Sequence, residues 1–108
     1  MKVEIYQMKL NKENHFYCYS SLSMLERHNL KFDFSRYGLV WFGDFENDIA
    51  TVPSTNIIWN LDKIFEIFNI NHPKNFRGHS LSVSDIVKID NDYYFCDDFG
   101  WENITNKI

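Results

Sequence analysis

The spacing of hydrophobic and polar positions changes along this chain, and each change predicts an element. Val3, Ile5 and Met8 alternate loosely with Lys2, Glu4, Gln7 and Lys9, the two-residue repeat of an opening strand. Asn11 to Asn14 interrupt it with turn-forming polar residues. The aromatic run His15 to Tyr19 is suited to pair back onto that strand, and Ser20 or Ser21 is placed to cap a helix over Leu22 to His28. Asp33, Ser35 and Gly38 then bracket the approach to Leu39, Val40, Trp41 and Phe42. That run is apolar on both faces, which predicts a central strand. Asn47, Asp48, Pro53, Ser54 and Asn56 make Glu46 to Asn56 a loop, with room for a brief edge strand at Ile49 to Val52.

The clearest helical period runs from Asn60 to Asn69, where Leu61, Ile64, Phe65 and Phe68 share one face and Asp62, Lys63 and Glu66 fall between them. Asn60 is placed to cap this helix, and Asn69, Asn71 and Pro73 to stop it. Ile57, Ile58 and Trp59 either extend it or form a preceding strand. In the loop His72 to Ser80, Gly78 is expected to supply a left-handed backbone. Val83 to Asp90 and Tyr93 to Asp97 predict a hairpin turning at Asn91 and Asp92, with Asp90 paired to Tyr93. That pairing places Val87, Ile89, Tyr94 and Cys96 on one face, expected to be core, and Lys88, Asp90, Tyr93 and Asp97 on the other. A turn at Asp98, Phe99 and Gly100 leads to a last strand with Trp101 and Ile104. The fold class expected is α+β: one small domain over residues 1–108, an antiparallel sheet ending in a β-meander, and one main amphipathic helix packed on it.

Composition agrees with one core, since 108 residues, 44% of them hydrophobic and 18% aromatic, bury ample apolar area for one domain and too little for two. A net charge of −4 has the wrong sign for tracking a phosphate backbone, so direct nucleic-acid binding is not expected. No apolar run approaches the roughly 18 residues of a membrane span, and the first ten residues lack the continuous apolar block of a signal peptide. The protein is therefore expected in the cytoplasm, without membrane contact. Two cysteines, Cys18 and Cys96, are too few for a disulfide framework.

No arrangement of reactive residue types stands out. His15, His28, His72, His79 and the two cysteines lack the short ligand spacing of zinc sites, and Asp90-Asn91-Asp92 lacks the following glycine and distant glutamate of a calcium loop. Neither a metal nor a cofactor is expected. His15 stands three residues before Cys18, but Cys96 reads as a small buried side chain. Ser80, Ser82 and Ser84 alternate with Leu81 and Val83 as strand hydroxyls, without a nucleophile elbow or a glycine-rich phosphate cradle.

Charge distribution is more informative. Residues 1–84 hold nine basic and nine acidic side chains, whereas residues 85–108 hold two and six, so the net charge resides in the meander. Exposed Tyr93, Phe99 and Trp101 beside Asp97 and Asp98 would present an acidic, aromatic patch to a basic partner. A solvated hairpin edge that resists aggregation is the plainer alternative. Arg77 is expected to pair with Asp85, Asp97 or Asp98. Convergence of Arg77, His79 and Asp85 on a cleft would instead suit a phosphate- or carboxylate-binding, or enzymatic, site. A third possibility is a nucleic-acid mimic, with carboxylates spaced like phosphates along one exposed face.

The stretch from His72 to Val87, His72-Pro73-Lys74-Asn75-Phe76-Arg77-Gly78-His79 and onward, followed by Tyr93 to Asp97 and Phe99-Gly100-Trp101, resembles the YodL-like domain family. The helix Leu61 to Asn69 and the strand residues Ser35, Tyr37, Leu39 and Val40 are similar to the elements that precede it there. The resemblance implies a small bacterial domain often carried by phages or conjugative elements, alone or within larger polyvalent proteins. It brings no catalytic residues. It implies a non-enzymatic accessory or inhibitory protein that binds a host protein, either a defence component or the cell-shape machinery. Together with the charge pattern, it makes Arg77, His79, Asp85, Tyr93, Asp97, Asp98, Phe99 and Trp101 the candidate partner-binding residues.

Overall fold

The computed structural model describes residues 1–108. The strands are β1 (Lys2–Met8), β2 (Tyr37–Asp44), β3 (Ile86–Ile89), β4 (Asp92–Asp97) and β5 (Gly100–Asn103), and the helices are α1 (Leu22–Arg27) and α2 (Ile57–Ile70). All neighbouring strands are antiparallel, in the order β2-β1-β3-β4-β5. The architecture is the expected α+β arrangement of one sheet, one main helix and a C-terminal meander. No helix is long and apolar enough to cross a membrane.

The sheet is covered on both faces. On one, Leu61, Ile64 and Phe68 of α2 meet Val3, Ile5, Trp41, Val87, Ile89 and Tyr94 in the larger core cluster. Phe68 is its hub, with ring centroids 4.9 Å from Trp41 and 4.8 Å from Phe76, both edge-to-face. On the other face Ile86, Phe95 and Ile104 are buried beneath Leu22, Phe32, Phe34, Tyr6, Tyr37 and Tyr93. Period-two alternation marks Val87, Ile89, Tyr94 and Cys96 as core, and all four are buried. The opposite face is also apolar because the segment between β1 and β2 wraps over it.

α1 begins at Ser21, whose hydroxyl accepts from the Met24 N–H, in line with one of the two expected caps. His15 to Tyr19 forms turns instead of a strand. Arg36 explains why: its Nη1 donates to the Glu13 carbonyl at 2.8 Å and its guanidinium lies 4.0 Å over the Tyr17 ring, holding the segment off the sheet. α2 begins earlier than expected, capped by Asn56, whose Oδ1 accepts from Ile58 and Trp59. Ile57 to Trp59 thus extend the helix. Asn60 is buried within it and exchanges hydrogen bonds with the backbone of Ser54, which explains a polar side chain there. The expected strand at Ile49 to Val52 is absent: a π-helical turn spans Phe45–Ile49 and buries both of its ends.

β2 is an edge strand, contrary to its two-sided apolar pattern. Three devices blunt that edge. The register slips at Val40, so that Tyr6 pairs with Leu39 and Ile5 with Trp41. The Arg77 N–H donates to the Val40 carbonyl, and the Asp48 carboxylate takes the Asp44 N–H. Gly43 accommodates Trp41, since a Cβ there would stand 2.5 Å from the indole.

The β3–β4 hairpin turns one residue earlier than expected, at Asp90 and Asn91, with Ile89 opposite Asp92 and Lys88 opposite Tyr93. Asp90 adopts φ 53°, donates its N–H to Lys2 O and accepts the Lys2 N–H on its carboxylate, which removes it from the ladder. Shifting the turn by one moves the pairing sum by two, so the face assignments survive. β3 is also shorter than predicted. Ser84, at φ 84°, and Asp85, bonded back to Ser82, end the strand at Ile86.

Candidate functional site

β1 and β2 frame a cleft at one end of the sheet. Antiparallel pairing brings the C-terminal ends of β1 and β4 to the same rim as the starts of β2, β3 and β5, and two irregular features stand on it: the loop 72–85 and the β4–β5 turn.

The loop is fastened by a buried polar strap. Gln7 lies on the face of β1 that carries Val3 and Ile5 and is buried with them. Its Nε2 donates to His79 O at 2.9 Å and to Asp85 Oδ2 at 3.0 Å, while its Oε1 accepts the His79 N–H at 3.1 Å. Asp85 Oδ2 also accepts the Ser82 N–H. Gly78 is required by closeness alone, since a Cβ would overlap the Gln7 amide; its φ is not left-handed as expected, and Gly100 is the glycine at positive φ. Behind Asp85, Ser84 O accepts the Tyr37 hydroxyl and Ser84 Oγ the Tyr19 N–H.

Arg77, Gly78 and His79 then face Met8 to Asn11 and Tyr37 to Val40 across a cleft of about 540 Å³. Lys9, Arg36, Arg77 and His79 line it, and none of its 14 lining residues is acidic. Arg77 is exposed and makes none of the expected ion pairs with Asp85, Asp97 or Asp98, because its backbone bond to β2 directs the loop toward β1 and β2 and away from the meander. His79 Nδ1 donates to Ser80 O at 2.8 Å. Arg77 and His79 therefore converge on a cleft, whereas Asp85 stands behind the strap and does not line it.

Burial pushes the Asp85 carboxyl up to about 6, only partly offset by the Ser82 N–H, His79 and Gln7. Because the folded state raises this pKa above its unfolded value, protonated Asp85 favours folding below about pH 4, and that contribution is lost as pH rises through 6. Asp85→Asn should therefore gain stability relative to the wild type between about pH 3 and pH 8, by about 3 kcal/mol in all. Urea unfolding of both at several pH values checks this; a stability difference independent of pH would contradict it.

The meander residues do not form one patch. Asp97 Oδ1 accepts from the Leu22 and Asp98 N–H groups, tying α1 to the rim. Tyr93 is half-buried, packed against Tyr6 and Phe34, and Trp101 donates to Asp62 of α2 at 3.0 Å. Neither aromatic is the exposed anchor expected, because the second hydrophobic cover and α2 claim them. Of the candidate residues of the meander only Asp98 and Phe99 are exposed, Phe99 at 96% on the turn before Gly100. The six acids of residues 85–108 do not lie along one exposed face: Asp85 is buried, Asp90 and Asp92 occupy the opposite end, and Asp97 is a cap.

Both thiols are free and held up in pKa by burial first and then by Asp85, Cys96 to about 12, so neither is an activated nucleophile. No three His, Cys, Asp or Glu side chains gather as metal ligands. Gln7, Lys9 and Arg36 escape notice in the sequence, although strict alternation from Val3 and Ile5 would have placed Gln7 on the buried face.

No curated protein and no solved structure matches the chain. The model of the YodL-like domain does match, over residues 2–106, and the chain therefore belongs to the YodL-like domain family.

Proposed function

We propose that this is a non-enzymatic protein-binding module, an accessory or inhibitory protein of a phage or mobile element that acts on a host protein through the rim carrying the cleft and the Phe99 turn. The observation that carries the proposal is the pairing, on one rim, of an unneutralised cation, Arg77, in a cleft free of acids with a fully exposed aromatic, Phe99. Both suit a partner surface: hot spots favour arginine and aromatic anchors, and covering an exposed phenyl ring removes apolar area from water. Family membership points the same way through the accessory role the resemblance implies. Two free cysteines fit a reducing cytoplasmic setting.

Arg77→Glu and Phe99→Ser alter exposed side chains and should leave the melting temperature unchanged. In affinity capture from the native cell, each should reduce recovery of one and the same host protein at least tenfold, an effect then repeated with that protein purified. Equal recovery by wild type and both variants would contradict the proposal.

A further inference from the structure

We infer that the cleft between Arg77 and the ends of β1 and β2 is an anion-binding site that takes a carboxylate carried on an apolar body, as an acidic–aliphatic segment of the partner would present it. The inference rests on the binding-module reading above. Fifteen of the 108 residues are acidic and the net charge is −4, yet the walls of this cleft carry three formal cations and His79 and no carboxylate. The local field is therefore opposite in sign to that of the molecule, and it concentrates anions where the remaining surface repels them.

The cations have different duties. Arg36 is committed: Nη1 donates to Glu13 O and to Asn14 Oδ1, the guanidinium lies over Tyr17, and Asp33 stands 3.2 Å from Nε. It is a fixed wall whose charge is partly cancelled. Arg77 has its backbone pinned to Val40 and its neighbour Phe76 buried against Phe68, but its side chain makes no ion pair. A planar fork on an anchored stem is suited to two parallel N–H···O bonds with a carboxylate. Lys9 adds an unpaired ammonium from the opposite wall.

Beside the amides of Gln7, Asn11 and Asn14, part of the wall is aliphatic. Leu10 is 67% and Leu39 50% exposed, and Val40 and Met8 continue the surface between them. Such walls favour an anion with a hydrocarbon body over a bare inorganic ion. The cleft has no helix N-terminus and no glycine-rich run of N–H donors to surround a phosphate. A single fork with aliphatic flanks matches a carboxylate better.

The experiment is an amide and arginine Nε–H NMR titration of the intact protein with 4-methylpentanoate, 4-methylpentanamide, inorganic phosphate and an acetylated peptide of alternating glutamate and leucine. 4-Methylpentanoate and the peptide should give saturable shifts at Lys9, Leu39 and Arg77 to His79, with the peptide binding more tightly. The amide should give none and phosphate should bind at least tenfold more weakly. Arg77→Gln should lower affinity for both carboxylates about tenfold. Equal response to acid and amide, a preference for phosphate, or undiminished binding by Arg77→Gln would overturn the inference. Loss of host-protein capture by Arg77→Glu without carboxylate preference would leave the module reading standing and remove this one. Carboxylate binding without any effect of Arg77→Glu on capture would do the reverse.

Discussion

Phe68→Ala is expected to destabilise the protein by about 3–5 kcal/mol, the range for emptying a buried aromatic site. Phe68 is fully buried and contacts Trp41 from β2 on one side and Phe76 from the loop on the other. It is the point where helix, sheet edge and cleft loop share one contact. Truncation removes the transfer energy of the ring and two edge-to-face interactions, and the rigid sheet cannot collapse into the hole. A domain of this size has about 5–15 kcal/mol in total, so the variant should melt at least 10 °C lower, at about 4–8 °C per kcal/mol. Thermal unfolding followed by near-ultraviolet circular dichroism gives the number. A loss under about 1 kcal/mol would mean that α2 is not seated on the sheet as described.

Gln7→Leu should cost about 2–4 kcal/mol although it replaces a buried amide with an apolar side chain of similar size. The reason lies in what the amide leaves behind. The part-buried His79 N–H and carbonyl and the buried Asp85 carboxylate lose partners, and Asp85 keeps only the Ser82 N–H. Part of the penalty should vanish when Asp85 is also changed: in Gln7→Leu/Asp85→Asn the two effects should be less than additive by about 1 kcal/mol or more, as for neighbours in one network. Hydrogen exchange should locate the damage, with Arg77 to Ser82 amides losing protection before the amides of β3 and β4. Additive effects, or uniform loss of protection across the sheet, would show that the strap does not hold the loop.

Much of the architecture was legible because it follows from short-range pattern. The two-residue repeat of Val87, Ile89, Tyr94 and Cys96 identified a buried face even though the turn was misplaced by one residue, and the helical period of Leu61, Ile64 and Phe68 identified the helix contact. What failed depended on contacts between residues distant in sequence. A run apolar on both sides at Leu39 to Phe42 suggests the middle of a sheet, yet the chain sets it at the edge and blunts that edge with a bulge, a loop N–H and a carboxylate. Those devices come from residues distant in sequence, such as Arg77, which no local pattern connects to Val40. The same reason separated the site residues. Arg77 and His79 were legible as a pair, whereas their partner across the cleft, Lys9, and the amide beneath them, Gln7, lie some seventy positions away. Tyr93 and Trp101 looked exposed because acidic neighbours suggested a solvated ribbon; packing on Phe34 and hydrogen bonding to Asp62 withdraw them.

Amide shift mapping of the isotopically labelled protein against whichever host protein the capture experiment recovers tests the central claim most directly, because the two ends of the sheet are chemically distinct. The cationic cleft and the Phe99 turn share one rim, and Asp90, Asp92 and the amino terminus occupy the other. The account predicts perturbations at Met8 to Leu10, Gly38 to Val40, Arg77 to His79 and Asp98 to Gly100, with Asp90 to Asp92 unmoved. Perturbations confined to Asp90 to Asp92 and their neighbours, with the cleft silent, would contradict it.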